Sequence, residues 1–302
     1  MKVLVSGSTG LIGTALVRAL EAGVHSVVRL VRGAAQPGGI VWDPLAGKLD
    51  PAAIEGIDAA VHLAGENIAS GRWTAAKKQR IRESRVQGTK LLAETLAKLQ
   101  KPPAVFLSGS AIGWYANRGD EVLREEAPAG SGFLADVCRQ WEAAGEAVLA
   151  RGIRLLKLRT GVVLSGEGGV LARMLPPFRL GMGGRVGDGK QWMSWIAIDD
   201  VVAAILHAIA KKELAGPVNF VSPAPVTNAE FTRTLGHLLG RPTIVPMPAF
   251  AARWAFGEMA DELLLASTRV EPRKLAASGY GFRYPDLESA LSAILGKSAG
   301  GK

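Results

Sequence analysis

The chain predicts an α/β fold, a doubly wound parallel sheet with a smaller C-terminal cap built from two separated stretches. Three observations predict it. Short apolar runs alternate with amphipathic helical patterns through the first two thirds of the 302 residues, as parallel strands joined by crossover helices require. The chain opens with such a unit: VLVSGSTGLIG, Val3 to Gly13, takes a strand through glycines spaced G-x-x-G-x-x-G into the helical pattern TALVRALEAG. After Ser165 the texture turns rich in glycine and proline, which suits a loop-built cap better than another sheet unit.

The first unit is read as a pyrophosphate cradle formed by Gly7, Ser8, Thr9, Gly10, Leu11, Ile12 and Gly13. Gly7 permits the tight turn out of the strand, Gly10 lets backbone approach phosphate, and Gly13 lets the helix pack on the sheet. The helix N-terminus adds free N–H groups and a positive dipole end. The alternative is a glycine turn that holds nothing. HSVVRLVR is the second strand, and it ends in Arg32 where an enzyme preferring NAD usually carries Asp or Glu for the ribose hydroxyls. A guanidinium cannot accept from a hydroxyl but pairs bidentately with a 2′-phosphate, so NADP(H) is the predicted cofactor. Arg29 either assists or is a solvated strand residue.

The remaining elements follow in order. GGIVWDP is a third strand ending at Asp43, and AIEGIDAAVHLAGENI a short helix and fourth strand whose exit is Leu63, Ala64, Gly65 and Glu66. AKKQRIRESRVQGTKLLAETLAKL is a long helix and PPAVFLSGSAIGWY a fifth strand. FLADVCRQWEAAGEAVLARG is the next helix and IRLLKLRTGVVL a single sixth strand. The loop-rich cap follows; WIAIDDVVAAILHAIA re-enters the main fold and PVNFV is a later strand. From about Pro246 the pattern is helical with proline stops, and residues 296–302 read as a disordered tail.

Composition narrows the function classes. A net charge of +9 and the run KKQRIRESR invite nucleic acid, but Lys77, Lys78, Arg80, Arg82 and Arg85 spread around the helix without an aromatic platform, so they read as a solvated face. The charge favours a multiply anionic small molecule, NADP or a nucleotide sugar. No apolar run reaches the ~18 residues of a membrane span and no signal peptide is legible, which predicts a cytoplasmic protein without membrane contact. The lone cysteine, Cys138, excludes an internal disulfide, and 4 scattered histidines give no metal-ligand spacing, so no metal is expected.

Taken in order, VSGSTGLIG, VHLAGENI, RVQGTKLLAE, LSGSAIGWY, WIAIDDVV and VNFVSPAPVTNAEF resemble the landmarks of the extended short-chain dehydrogenases/reductases, within the NAD-dependent epimerase/dehydratase superfamily. GRW followed by SRVQGT, FLADVCRQWEAA, QWMSWIAIDD and the terminal GYGFRYPDLESAL are similar to its atypical branch, the epimerase-family (SDR39U1-like) proteins with their own C-terminal domain. The division expected is a Rossmann domain at 1–165 completed by about 193–222, and a substrate cap and C-terminal helical region at 166–192 and 223–295. The cofactor set is then the cradle with Arg32, Asp43, Leu63, Ala64, Gly65, Glu66, Arg85 and Ser108.

The resemblance also implies a reaction centre of Tyr, Lys four residues later, Ser and a supporting Asn. Ser110 stands at the serine position. Leu134 and Cys138 stand where Tyr and Lys belong, and Arg85 at the Asn position. A leucine moves no proton, so either the acid/base is relocated or catalysis is lost. Tyr115, Cys138 and Lys157 are the candidates for relocation, against a packed loop aromatic, a small buried hydrophobe and a solvated strand residue. Trp73, Trp114, Trp192 and Trp195 either line an aromatic cleft or are cap packing, and Arg159, Arg179, Arg185 and Lys190 either meet a diphosphate or are loop charges. The function expected is an NADP(H)-dependent oxidoreductase or nucleotide-sugar epimerase-like enzyme acting on a polar small molecule. The alternative is a non-catalytic NADP(H)-dependent redox sensor or assembly factor. Oligomeric state is not legible.

Overall fold

The computed structural model describes residues 1–33 and 38–296, so the tail expected to be disordered lies, beyond Gly296, outside the described residues. Its centre is a seven-stranded sheet, every neighbouring pair parallel. In chain order its strands are β1 (Lys2–Ser6), β2 (Ser26–Val31), β3 (Gly39–Val41), β4 (Ala59–His62), β5 (Val105–Ala111), β6 (Arg154–Thr160) and β7 (Gly216–Phe220). They lie side by side as β3-β2-β1-β4-β5-β6-β7. This is the doubly wound Rossmann order with one added strand, and its direction reverses between β1 and β4. A crevice opens there at the carboxyl ends of the strands.

Side-chain alternation assigns the helices to faces. Val3 and Val5, with Val61, Leu107 and Leu156, pack against α1 (Leu11–Ala22) through Leu16 and Leu20, and against α5 (Ile198–Ala210) through Val201 and Ile205. Leu4, Ala60, Phe106 and Leu155 point the other way onto Leu92 and Leu96 of α2 (Ala75–Lys98). Strands buried on both faces read as near-continuous apolar runs, which is why their sequence is so plainly hydrophobic. A fully buried leucine such as Leu4 contributes about 2 kcal/mol of transfer free energy. α3 (Phe133–Ala144) lies against α2 and ends beside β5.

Three expectations are corrected. The sixth strand is not continuous: it breaks at Gly161, where a Cβ would lie 2.6 Å from the Ser194 carbonyl oxygen. Beyond the break Val162–Leu164 leaves the sheet and pairs with Trp195–Ala197. The cap is less loop-built than its composition suggests, because Gly169–Arg179 forms α4 despite Pro176 and Pro177. Leu171, Leu175 and Phe178 recur at helical spacing and join α6 (Asn228–Leu239) and α9 (Leu287–Ile294) in one apolar cluster. The segment after Pro246 is not wholly helical. It begins with α7 (Ala249–Phe256), but Arg269–Val270 adds a parallel strand to Val122–Leu123, ahead of α8 (Arg273–Ala277). Among the described residues no helix is long and apolar enough to cross a membrane.

Candidate functional site

The loop between β1 and α1 has the geometry of a cradle. Gly7 is left-handed at φ +71, and a Cβ there would sit 2.7 Å from the Ala64 nitrogen at the exit of β4. A Cβ on Gly13 would lie 2.1 Å from the Gly7 carbonyl oxygen, so helix and loop touch backbone to backbone. Gly10 differs from both. It is extended at φ −78, and an added Cβ would meet only the Gly7 oxygen, at 3.3 Å. The protein itself leaves that side nearly open. Among the described residues no side chain caps α1 and no acid stands in its first turn, so the N–H groups of the first turn remain for an anion. Ser8 is buried and its carbonyl accepts from Thr14 Oγ1 at 3.2 Å, which fixes the loop from behind. These residues fit a pyrophosphate.

Arg32 follows β2, is exposed, and has no ion-pair partner among the described residues. The Glu66 carboxyl is held below the usual carboxylate range, chiefly by its hydrogen bond from Lys77, with smaller contributions from the Arg80 and Arg32 charges. Arg29 pairs with Glu21 at 2.8 Å on the exposed side, the solvated reading. Asp43 is exposed and its Oδ1 accepts from the N–H groups of Leu45 and Ala46, each at 3.0 Å. Its evident work is the turn after β3.

The basic run on α2 is only in part the solvated face expected: Arg80 is exposed, but the others are engaged. Lys77 is buried and bonds Glu66 Oε1 at 2.6 Å and Ser70 Oγ at 2.8 Å. Lys78 reaches Glu258 and Arg82 reaches Asp136. Arg85 turns inward: its Nη1 donates to the main-chain oxygens of Glu66 at 3.0 Å and Ile81 at 3.1 Å, and its guanidinium stacks 5.1 Å from the centre of the Trp141 ring. A Cβ on exposed Gly65 would lie 3.3 Å from that guanidinium, which places Arg85 under the exit of β4 beside Leu63 and Ala64.

Ser110 leaves β5 at its carboxyl end and donates to Glu142 Oε1 at 2.7 Å. Arg159 grips the same carboxylate with Nε at 2.8 Å and Nη2 at 3.1 Å, and its Nη1 donates to the Tyr115 hydroxyl at 3.1 Å. Tyr115 in turn donates to Asn219 Oδ1 at 2.7 Å. The chain of contacts is buried throughout. Tyr115 is therefore no replacement acid: it is 0% exposed, its hydroxyl is engaged on both sides, and burial pushes the phenol up. Cys138 fails likewise, since burial pushes its thiol up to about 12, where it is neutral at any ordinary pH. Lys157 pairs with Glu146 at 2.7 Å. Ser108 is 1% exposed within β5, in register with His62 at the carboxyl end of β4.

The four tryptophans do not share a cleft. Trp73 packs on Phe133, Trp114 lies under Arg159, Trp192 lies under Arg269, and Trp195 is fully buried with Nε1 on the Ala224 oxygen. Of the proposed diphosphate cations Arg159 is buried in its ion pair, while Arg179, Arg185 and Lys190 are exposed. Glu142 was missed by sequence reasoning. Its signal was available: Leu134, Cys138 and Glu142 recur every fourth residue on the buried face of α3, so a carboxylate there needs a partner.

Comparison with known proteins agrees with this architecture. The model of the NAD dependent epimerase/dehydratase family matches residues 3–220, and a domain of unknown function, DUF1731, matches residues 247–294. The epimerase family protein Mb2239 of Mycobacterium bovis is 46% identical over 290 residues, 96% of each chain. The human epimerase family protein SDR39U1 is 38% identical over 98% of this chain and 100% of its own length. A crystal structure of that human protein with NADPH matches at TM-score 0.91, covering 97% of this chain and 99% of that one. A nucleoside-diphosphate sugar epimerase from Corynebacterium glutamicum matches at TM-score 0.81 and 40% identity, over 98% of this chain and 58% of that one. With its sheet order, its glycine cradle and a family match over most of its length, the chain belongs to the NAD dependent epimerase/dehydratase family.

Proposed function

We propose that the protein binds NADP(H) along the crevice and acts as a cytoplasmic oxidoreductase on a polar small molecule, with nucleotide-linked sugars as the first class to try. The observation that carries the reading is the uncapped start of α1 behind an open Gly10, with exposed Arg32 at the end of the adjoining strand. The cradle would hold the pyrophosphate, Arg32 the 2′-phosphate, and the exits of β4 and β5 the nicotinamide end; residues 166–192 and 223–295 would cover the substrate. The NADPH bound by the human relative and the name of the Corynebacterium relative support the cofactor and the substrate class.

The bound cofactor would supply or accept a hydride. Ser110 orients the substrate: its proton is committed to Glu142, so towards a ligand the oxygen offers lone pairs and accepts from a hydroxyl or amide. Leu134 excludes water from the position where the family carries its tyrosine. Epimerisation needs a side chain that takes a hydroxyl proton and returns it, and neither Leu134 nor neutral Cys138 does so. Reduction needs one proton, which water can give. A second reading, an NADP(H)-dependent redox sensor or assembly factor, is favoured by the engagement of Ser110 with Glu142. Incubating the protein and NADPH with carbonyl compounds and nucleotide sugars separates the two. Substrate-dependent NADPH oxidation supports the oxidoreductase, tight NADPH binding without turnover favours the sensor, and no binding removes both.

NADP(H) should bind at least about tenfold tighter than NAD(H), and Arg32→Asp should erase the difference. It removes a charge-assisted fork, a contact worth roughly 1.5–3 kcal/mol, and adds a repelling carboxylate. Calorimetry with both cofactors checks this; equal affinities in the unaltered protein would refute it.

A further inference from the structure

We infer that Arg85 makes the site selective for the reduced form of the cofactor, because it sets an unneutralised cation beside the place where the oxidised nicotinamide would carry its own positive charge. This rests on the NADP(H) reading above. Arg85 lies under the exit of β4, where a Cβ added to Gly65 would lie 3.3 Å from its guanidinium, on the half of the doubly wound sheet that takes the second nucleotide of a dinucleotide. Among the described residues its hydrogen bonds go to two carbonyl oxygens, those of Glu66 and Ile81, and to no carboxylate. Among the described residues the carboxylate that acts on it, Glu66, is shared with two other cations, Lys77 at 2.6 Å and Arg80 at 3.9 Å, while Asp136 is held by Arg82 and Glu142 by Arg159. Facing it from α3 are the Trp141 ring and the neutral Cys138 thiol. Burial pulls the guanidinium below its ordinary pKa, yet an arginine stays protonated, so the charge is permanent and poorly solvated.

Hydride arrival turns the nicotinium cation into a neutral dihydropyridine. The repulsion from Arg85 therefore acts on NADP+ and vanishes for NADPH, while every contact to pyrophosphate and 2′-phosphate is common to both. Only a differential interaction shifts such an equilibrium, and this is one. Two unit charges several ångströms apart at a half-buried site repel enough to change a dissociation constant by on the order of tenfold. A tenfold preference for NADPH raises the reduction potential of the bound couple by about 30 mV.

The test is equilibrium titration of the 302-residue chain with NADPH, NADP+ and adenosine 2′,5′-bisphosphate, for the unaltered sequence, Arg85→Met and Arg85→Lys. The unaltered chain should bind NADPH about tenfold tighter than NADP+. Arg85→Met should bring the two together, chiefly by tightening NADP+, and leave the bisphosphate unchanged, since that ligand has no nicotinamide. Arg85→Lys should keep most of the preference. Equal affinities in the unaltered chain, or a preference that persists in Arg85→Met, overturns the inference and leaves the cofactor reading standing. Failure of all three ligands to bind the unaltered chain removes that reading itself. Should Arg85→Met unfold, Arg85→Gln carries the same comparison, with the same outcomes.

Discussion

Ser110 donates its one hydroxyl hydrogen bond to Glu142 Oε1, and two nitrogens of Arg159 hold both oxygens of that carboxylate, so three residues on two strands and a helix fix one another's orientation without solvent. The pair is a buried ion pair, in which losing one partner is worse than never having had either. Arg159→Met strands a carboxylate at 4% exposure and should destabilise the protein by about 3–5 kcal/mol in urea unfolding. A loss below about 1 kcal/mol would show that the pair holds nothing together. Ser110→Ala removes one hydrogen bond to a charged group and should lower stability by about 1.5–3 kcal/mol while leaving NADPH affinity nearly unchanged. If the protein is an oxidoreductase, the same variant should also lower turnover, which a purely structural serine would not.

At the scale of elements, the unit β1-loop-α1 concentrates the binding function. Gly10→Val should keep the fold, since little protein surrounds that Cβ, and should abolish NADPH binding because the side chain fills the space a phosphate needs. Gly13→Ala should weaken both, because its Cβ would press on the Gly7 carbonyl. Circular dichroism beside a binding titration separates the cases; a Gly10→Val protein that binds normally would reduce the loop to a turn. This unit was legible in the sequence because all of its determinants lie within a dozen residues. Elements decided by distant contacts were not. α4 runs through Pro176 and Pro177 because its apolar face meets α6 and α9, and β6 ends at Gly161 because Ser194 crosses close by. The fate of Tyr115 depended on Asn219 and Arg159, 104 and 44 residues away. Likewise the inward turn of Lys77 and Arg85 depended on a loop that local pattern describes only as polar.

Across the whole molecule, the strand order places the reversal between β1 and β4, and the carboxyl ends of those strands meet at a buried pair, Ser6 Oγ and His62 Nδ1, 2.5 Å apart. Burial, and then the nearby Arg85 charge, lower the His62 pKa from 6.5 to about 4. The unfolded chain takes up a proton at about pH 6.5 that the folded chain refuses until about pH 4, so this group's contribution is constant above that window and is lost as pH falls through it. The loss should total on the order of 3 kcal/mol, and His62→Gln should flatten that part of a stability–pH profile measured by urea unfolding. A profile unaltered by the substitution would contradict the assignment. The central claim is that one dinucleotide spans the crevice from Arg32 to Ser110. A crystal structure of the NADPH complex tests it most directly. It should place the pyrophosphate over the first turn of α1 between Gly7 and Gly13, the 2′-phosphate on Arg32, and the nicotinamide between the exits of β4 and β5 beside Arg85. A pyrophosphate elsewhere, or a nicotinamide turned away from β5, would contradict it.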